Sequence, residues 1–152
     1  MITRPTTDAL IEDCCRELME GILPGLTDET LKLRLVMTET VLRNAAVRAA
    51  HEIAWMRGET AALMAYAGRV AARHSSAALR AAVADAGAGP ADSLHLADVA
   101  DCYERAGRAF AAALAAAQEA GAADLVTQAR ELLRDRIATE KEVMATYAVV
   151  GR

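Results

Sequence analysis

TDETLKLRLVMTETVLRNAAVRAAHEIAWMR, residues 27–57, holds neither proline nor glycine from end to end, which is long against a usual helix of about 11–12 residues. Thr27 is placed to cap it, and Asp28 and Glu29 fall in the first turn, where carboxylates meet the positive end of the helix dipole. Arg57 followed by Gly58 has the form of a helix stop. Two apolar tracks run along the stretch. One passes through Leu31, Leu35, Leu42, Ala46, Ala49 and Ile53, the other through Leu33, Met37, Val41 and Trp55. That apolar width predicts a helix touching more than one neighbour.

Outward from it, the chain reads as the helices that supply those neighbours. Toward the N-terminus, Thr6 or Thr7 caps a helix over about 7–22, with Ile11, Cys15, Leu18 and Ile22 as one stripe. Pro24-Gly25 breaks it from the long element. Toward the C-terminus, Gly58 is expected to separate residues 28–57 from a third helix over 59–84. Its core track is Leu63, Ala67, Val70, His74, Ala77 and Ala81. Gly87-Ala88-Gly89-Pro90 is the clearest break. A fourth helix, over 93–120 and capped by Asp92 or Ser93, carries Leu96, Ala100, Tyr103, Gly107, Phe110, Leu114 and Ala117 at alternating spacings of four and three. This is a heptad seam. Glycine costs about 1 kcal/mol against alanine in a helix interior. Gly107 on the seam therefore predicts a close crossing that Leu at 107 would overpack, and Phe110 is expected to face inward. Gly121 ends this helix. A fifth, over 123–147, has the stripe Val126, Ala129, Leu133, Ile137, Glu140, Met144 and Tyr147. The fold class expected is all-α: one domain with a four-helix bundle core, mainly up-down-up-down, and an additional short N-terminal helix.

Composition supports this. Alanine, the best helix former, makes up about a quarter of the chain, and no stretch alternates apolar and polar between turn residues. A net charge of −4 with lysine and arginine scattered among acids offers no basic stripe to neutralise phosphates, so nucleic acid is not an expected partner. No apolar run approaches the roughly 18 residues of a membrane span, and the N-terminus lacks an apolar signal core, so a cytoplasmic location is expected. Cys14, Cys15 and Cys102 have neither zinc nor redox-motif spacing and read as small core residues.

Chemistry would hide in polar residues on apolar tracks. His74 sits mid-stripe on the third helix and Glu140 on the fifth, while Thr40, Asn44 and His51 share a face of the long helix. Asn44 and His51 either find partners inside the fold or face a groove. A ferritin-like di-iron site needs Glu-x-x-His on two helices, but Arg48 and Ala71 stand three before His51 and His74. Ser75-Ser76 and Ser93 lie in no nucleophile-elbow pattern, and Gly87-Ala88-Gly89-Pro90 has no following lysine and no preceding strand. Neither a catalytic residue, a cofactor nor a metal is expected. The pairs Glu39–Arg43 and Arg48–Glu52 read as solvated surface.

The opening Arg4-Pro5-Thr6 followed by DALIEDCCRELMEGILPGL, with Leu23-Pro24 closing a short first helix, resembles the start of a family of small helical bacterial proteins. Arg34 near the start of the long helix, His51-Glu52 near its end, and ARELLRDRIATEK from Ala129 to Lys141 are similar to that family's later segments. Its members resemble the accessory protein of an aminoglycoside-phosphotransferase-like hydroxyacyl-CoA kinase, commonly paired with that kinase and an acyl-CoA dehydrogenase in acid catabolism. The resemblance implies a non-catalytic accessory protein that binds a kinase of this type, and the mixed charge outside the seam of the fourth helix predicts a monomer or weak dimer. The alternative is a small-molecule- or metal-binding bundle, or an enzyme, using His51, His74 and Glu140.

Overall fold

The computed structural model describes residues 4–74, 76–90 and 92–144, with side chains as far as Lys141. Among them are five α-helices and no strand: α1 (Thr7–Arg16), α2 (Glu29–Arg73), α3 (Ala77–Gly87), α4 (Leu96–Glu119) and α5 (Ala123–Met144). The all-α class is the one the periodicity predicts. The expected end of the last helix at 147, with the side chains of Met144 and Tyr147, lies outside the described residues.

The helix boundaries follow local hydrogen bonding, and several differ from expectation. α1 passes at Glu17 into a wider π-helical turn (Glu17–Ile22) and then a tight 3-10 turn at Leu23–Gly25. At the start of α2 the cap is Asp28, not Thr27. One Asp28 carboxylate oxygen accepts from Thr30 N (2.7 Å) and Leu31 N (3.3 Å), adding charge at the positive end of the helix.

Gly58 is not a stop. α2 runs through it as a single helix of 45 residues, so the expected helices 28–57 and 59–84 are corrected. A glycine ends a helix by taking a left-handed conformation, and among the described glycines Gly121 is the one with positive φ. The residues after Gly58 include Ala61, Ala62, Leu63, Met64 and Ala65, strong helix formers. Each adds a backbone hydrogen bond once the helix is under way, and this outweighs one interior glycine.

α2 ends instead at Arg73, and α3 begins at Ala77. His74 N still donates to Val70 O (2.7 Å), and Ser76 then turns to extended backbone and caps α3 by accepting from Leu79 N (3.1 Å). This shifts the helical phase. Leu63, Ala67 and Val70 are buried as expected, but Ala77 and Ala81 are exposed and Leu79 takes the interior place. α4 starts at Leu96 rather than 93. Ser93 lies in the preceding loop, where its hydroxyl accepts from His95 N (3.2 Å) and donates to Asp98 (2.6 Å). At the other end Gly121 (φ 64°) makes the left-handed stop. Its N–H donates to Gln118 O (3.0 Å) and that of Ala122 to Ala117 O (2.9 Å), the paired bonds of a Schellman motif.

Backbone contacts divide the chain into two compact units: Met1–Glu52 with Thr139–Arg152, and Ile53–Ala138. In the unit Ile53–Ala138, the later part of α2 forms a four-helix bundle with α3, α4 and α5. One cluster holds Leu63, Tyr66, Ala67 and Val70 of α2, Leu79 of α3, Ala106, Ala109, Phe110, Ala113 and Ala117 of α4, and Leu125 and Ala129 of α5. The rings of Tyr66 and Phe110 tilt together, centroids 5.2 Å apart. Phe110 is therefore inward, but the α4 seam is rotated from the expected one. Tyr103, Phe110 and Ala117 keep their flank, while Val99, Ala106 and Ala113 replace Ala100, Gly107 and Leu114 on the other. A Cβ at Gly107 would meet nothing within 4 Å, so the close crossing expected there does not exist. Ala106, Ala109 and Ala113 are the small residues buried on α4 instead. Outside the seam, Arg105 pairs with Asp101 (2.7 Å) and Asp85 (3.7 Å), and Arg108 reaches Asp85 (3.4 Å), tying α4 to α3.

In the other unit, α1 places Cys15 in the interior, with its Sγ donating to Glu39 O at 3.8 Å. Burial, and then the Glu39 carboxylate, push this thiol's pKa up, so it stays protonated and unreactive. Cys14, expected inside, is exposed and Cys102 half-buried, because neighbouring helical positions point about 100° apart.

Two substitutions test these helix ends. Gly58→Ala, in open space on an uninterrupted helix, should stabilise by up to about 1 kcal/mol. Gly121→Ala should destabilise by about 1–2 kcal/mol, since it forces a side chain into the left-handed region. Thermal melts of the two variants should move in opposite directions; a Gly58→Ala variant that melts below the wild type would mean that Gly58 marks a helix end.

A second test uses pH. Arg73 at the end of α2 donates to Asp124 in the first turn of α5 (2.6 Å). That bond, with smaller help from nearby backbone N–H groups, holds the Asp124 carboxyl below the ordinary carboxylate range. A carboxyl depressed in the folded state stabilises the fold above its unfolded pKa and loses that contribution as pH falls through the folded one. Asp124→Asn should therefore melt below wild type at neutral pH, and the gap should close as pH is taken below the carboxylate range. A gap independent of pH would remove the ion pair as its cause.

Candidate functional site

The four polar residues singled out by the sequence do not share an environment. Asn44 is buried, and its Nδ2 donates to Thr40 O (2.9 Å) on the same helix. His51 is exposed, and its charge is a minor contributor to the lowered pKa of Asp8, which is due first to a hydrogen bond from Thr6. Glu140 is exposed near the end of α5. His74 belongs to the other unit and sits half-buried at the break after α2. Among the described residues no three His, Cys, Asp or Glu side chains stand together as a metal ion would need.

The pairs expected to be solvated surface are both formed, but one is not surface. Glu39 is nearly buried and bonded to Arg43 one turn on; Arg48 holds Glu52 in the same way. A buried carboxylate without a partner would cost several kcal/mol, so Arg43 is what permits Glu39 in the interior.

Two features of the bundle unit are absent from the sequence reading. The first joins three helices. Tyr103 of α4 donates its hydroxyl to Glu59 of α2 (2.9 Å). Arg136 of α5 stands 3.7 Å from the other Glu59 oxygen, with its guanidinium 5.7 Å from the Tyr103 ring centroid. Acid, phenol and guanidinium satisfy one another here, an arrangement suited to fixing helix positions.

The second is a cleft of about 310 Å³. Arg57, Thr60, Ala61 and Met64 of α2 form one wall. The end of α3 and the following loop (Ala86, Gly87, Gly89, Pro90, Ser93) form a second, and Val99 and Cys102 of α4 a third. The loop lies so close that a Cβ at Gly89 would stand 2.6 Å from the Cys102 sulfur. The cleft is mainly apolar with a few polar groups, the composition of a small-molecule site and near the lower end of the usual volume range. Thr60 is unusual in it. Thr38, Thr40 and Thr127 each donate to the carbonyl four residues back, whereas the Thr60 hydroxyl is buried without a hydrogen-bond partner. A signal for it was available in the sequence, because Thr60 lies three residues before Leu63 on the track through Ala67 and Val70.

No protein-family model, curated protein or solved structure matches this chain, so the functional reading rests on the residues themselves.

Replacing Thr60 by the nearly isosteric valine removes a buried hydroxyl that has no partner. An unsatisfied buried polar group costs about 1–3 kcal/mol, so Thr60→Val should raise stability by about 1 kcal/mol in denaturant melts. A loss of similar size would show that the hydroxyl is satisfied in solution.

Proposed function

We propose that this chain is a non-catalytic, cytoplasmic accessory protein that docks onto a partner enzyme through the first part of α2. The observation that carries the reading is a row of large apolar side chains turned outward. Leu33, Met37 and Val41 are 54%, 62% and 56% exposed and follow one another at intervals of four. Such a row forms a ridge of the kind that seats in the groove of another helix. Methionine at its centre suits an adaptable contact, and contiguous exposed apolar groups on a helix mark interaction surfaces. Exposed Arg34 and Thr38 lie alongside, so the complementary surface is an apolar groove with an acidic margin.

The resemblance of the opening segment and of Ala129–Lys141 to accessory proteins of aminoglycoside-phosphotransferase-like kinases supplies the kind of partner: a kinase of that class acting in acid catabolism. The chain itself is a monomer or weak homodimer. Asn44 is buried and bonded to Thr40 O, while His51 and Glu140 are exposed.

The test is co-purification of the tagged chain with the aminoglycoside-phosphotransferase-like kinase encoded in the same genome. Met37→Glu with Val41→Asp should leave the melting temperature nearly unchanged, as surface substitutions do, within about 0.5 kcal/mol. It should weaken kinase binding by at least about tenfold, the loss of roughly 1.4 kcal/mol of interface energy. Equal binding by variant and wild type would remove the ridge as the docking face. A wild-type chain that binds no such kinase at micromolar concentrations, or that uses the ridge to form a tight homodimer in sedimentation, would overturn the accessory role.

A further inference from the structure

We propose that the cleft between α2, α3 and α4 binds a small amphipathic carboxylate, with its acid group at Arg57 and its hydrocarbon end among Met64, Pro90 and Val99. This rests on a different unit and different residues from the docking ridge, so either holds without the other.

Size and charge together define the ligand. The cleft's 310 Å³ accommodates roughly ten groups the size of a water, each about 30 Å³, which suits an acid of about six to ten heavy atoms. Ala61, Met64, Ala86, Pro90 and Val99 give it an apolar interior that favours hydrocarbon. Among the described residues that line it, Arg57 is the one charged side chain, and no aspartate or glutamate is present. The charge of the lining therefore favours an anion over a cation. A guanidinium has five N–H donors in a planar fork, so it can take a carboxylate while keeping an existing contact.

Cys102, on the opposite wall, reports occupancy. In a Cys14→Ser background, where Cys15 is buried, alkylation of Cys102 by N-ethylmaleimide is followed by intact mass. Octanoate should slow the reaction saturably. Octyltrimethylammonium and octanol at equal concentration should not. Arg57→Gln should raise the octanoate concentration for half-protection by about tenfold, the loss of a charge-assisted hydrogen bond, while Arg57→Lys retains part of the affinity and both variants melt as wild type. Unchanged alkylation in millimolar octanoate overturns the proposal. So does protection that fails to saturate, protection by the cation or the alcohol equal to that by the acid, or an Arg57→Gln variant that binds octanoate as tightly as wild type.

Discussion

The bundle depends on how closely α4 can be approached. Ala106, Ala109, Ala113 and Ala117 have no exposed surface, and Ala67 of α2 and Ala129 of α5 are as fully buried in the same cluster. Side chains this small let neighbouring helices sit toward the near end of the usual 8–10 Å separation. Alanine removes little apolar area from water, so hydrophobic stabilisation falls on a few larger residues: Tyr66, Val70, Leu79, Phe110 and Leu125. Such a core is sensitive to added volume, because every extra methylene on the alanine face must displace a helix.

α2 meets two opposite environments along its length. Beyond Ile53 it behaves as a bundle helix, burying Leu63, Tyr66, Ala67 and Val70 and leaving Arg69 and Arg73 outside. Before Glu52 the polarity is partly inverted: Glu39 and Asn44 are inside while Leu33, Met37 and Val41 are outside. The interior polar groups are tolerated because Arg43 and the Thr40 carbonyl answer them. The exterior apolar groups Leu33, Met37 and Val41 stay exposed in a row rather than singly.

The bundle also carries polar groups that its own packing does not satisfy. Tyr66 fills the centre of the core with its hydroxyl buried and without a hydrogen-bond partner, and burial pushes its pKa upward. The ring's packing against Phe110 is what holds it there. Thr60 is the second such hydroxyl, but it stands at the wall of a cleft rather than in the packed centre. Both hydroxyls are enclosed; that of Tyr66 is the cost of a large aromatic in an alanine-rich core.

The sequence by itself determined the helical class, the inward orientation of Phe110, the buried track Leu63–Ala67–Val70 and the left-handed stop at Gly121. Each of these follows from local propensity, from a short-range apolar repeat, or from the one residue type that tolerates positive φ. Tertiary structure decided the rest. Whether Gly58 stops a helix depends on whether the following residues gain more by continuing it than by turning, and here the continuing helix wins and the break passes to Ser76. Which flank of α4 faces inward was set by what packs against it, since both flanks carry small residues and periodicity cannot tell Ala106 from Gly107. Apolar residues on α2 looked equally suited to burial, but the number of neighbours available to cover them is a property of the whole fold. The cleft joins Arg57 and Thr60 to Pro90 and Cys102 across a helix break and a loop, and no spacing along the chain records that meeting.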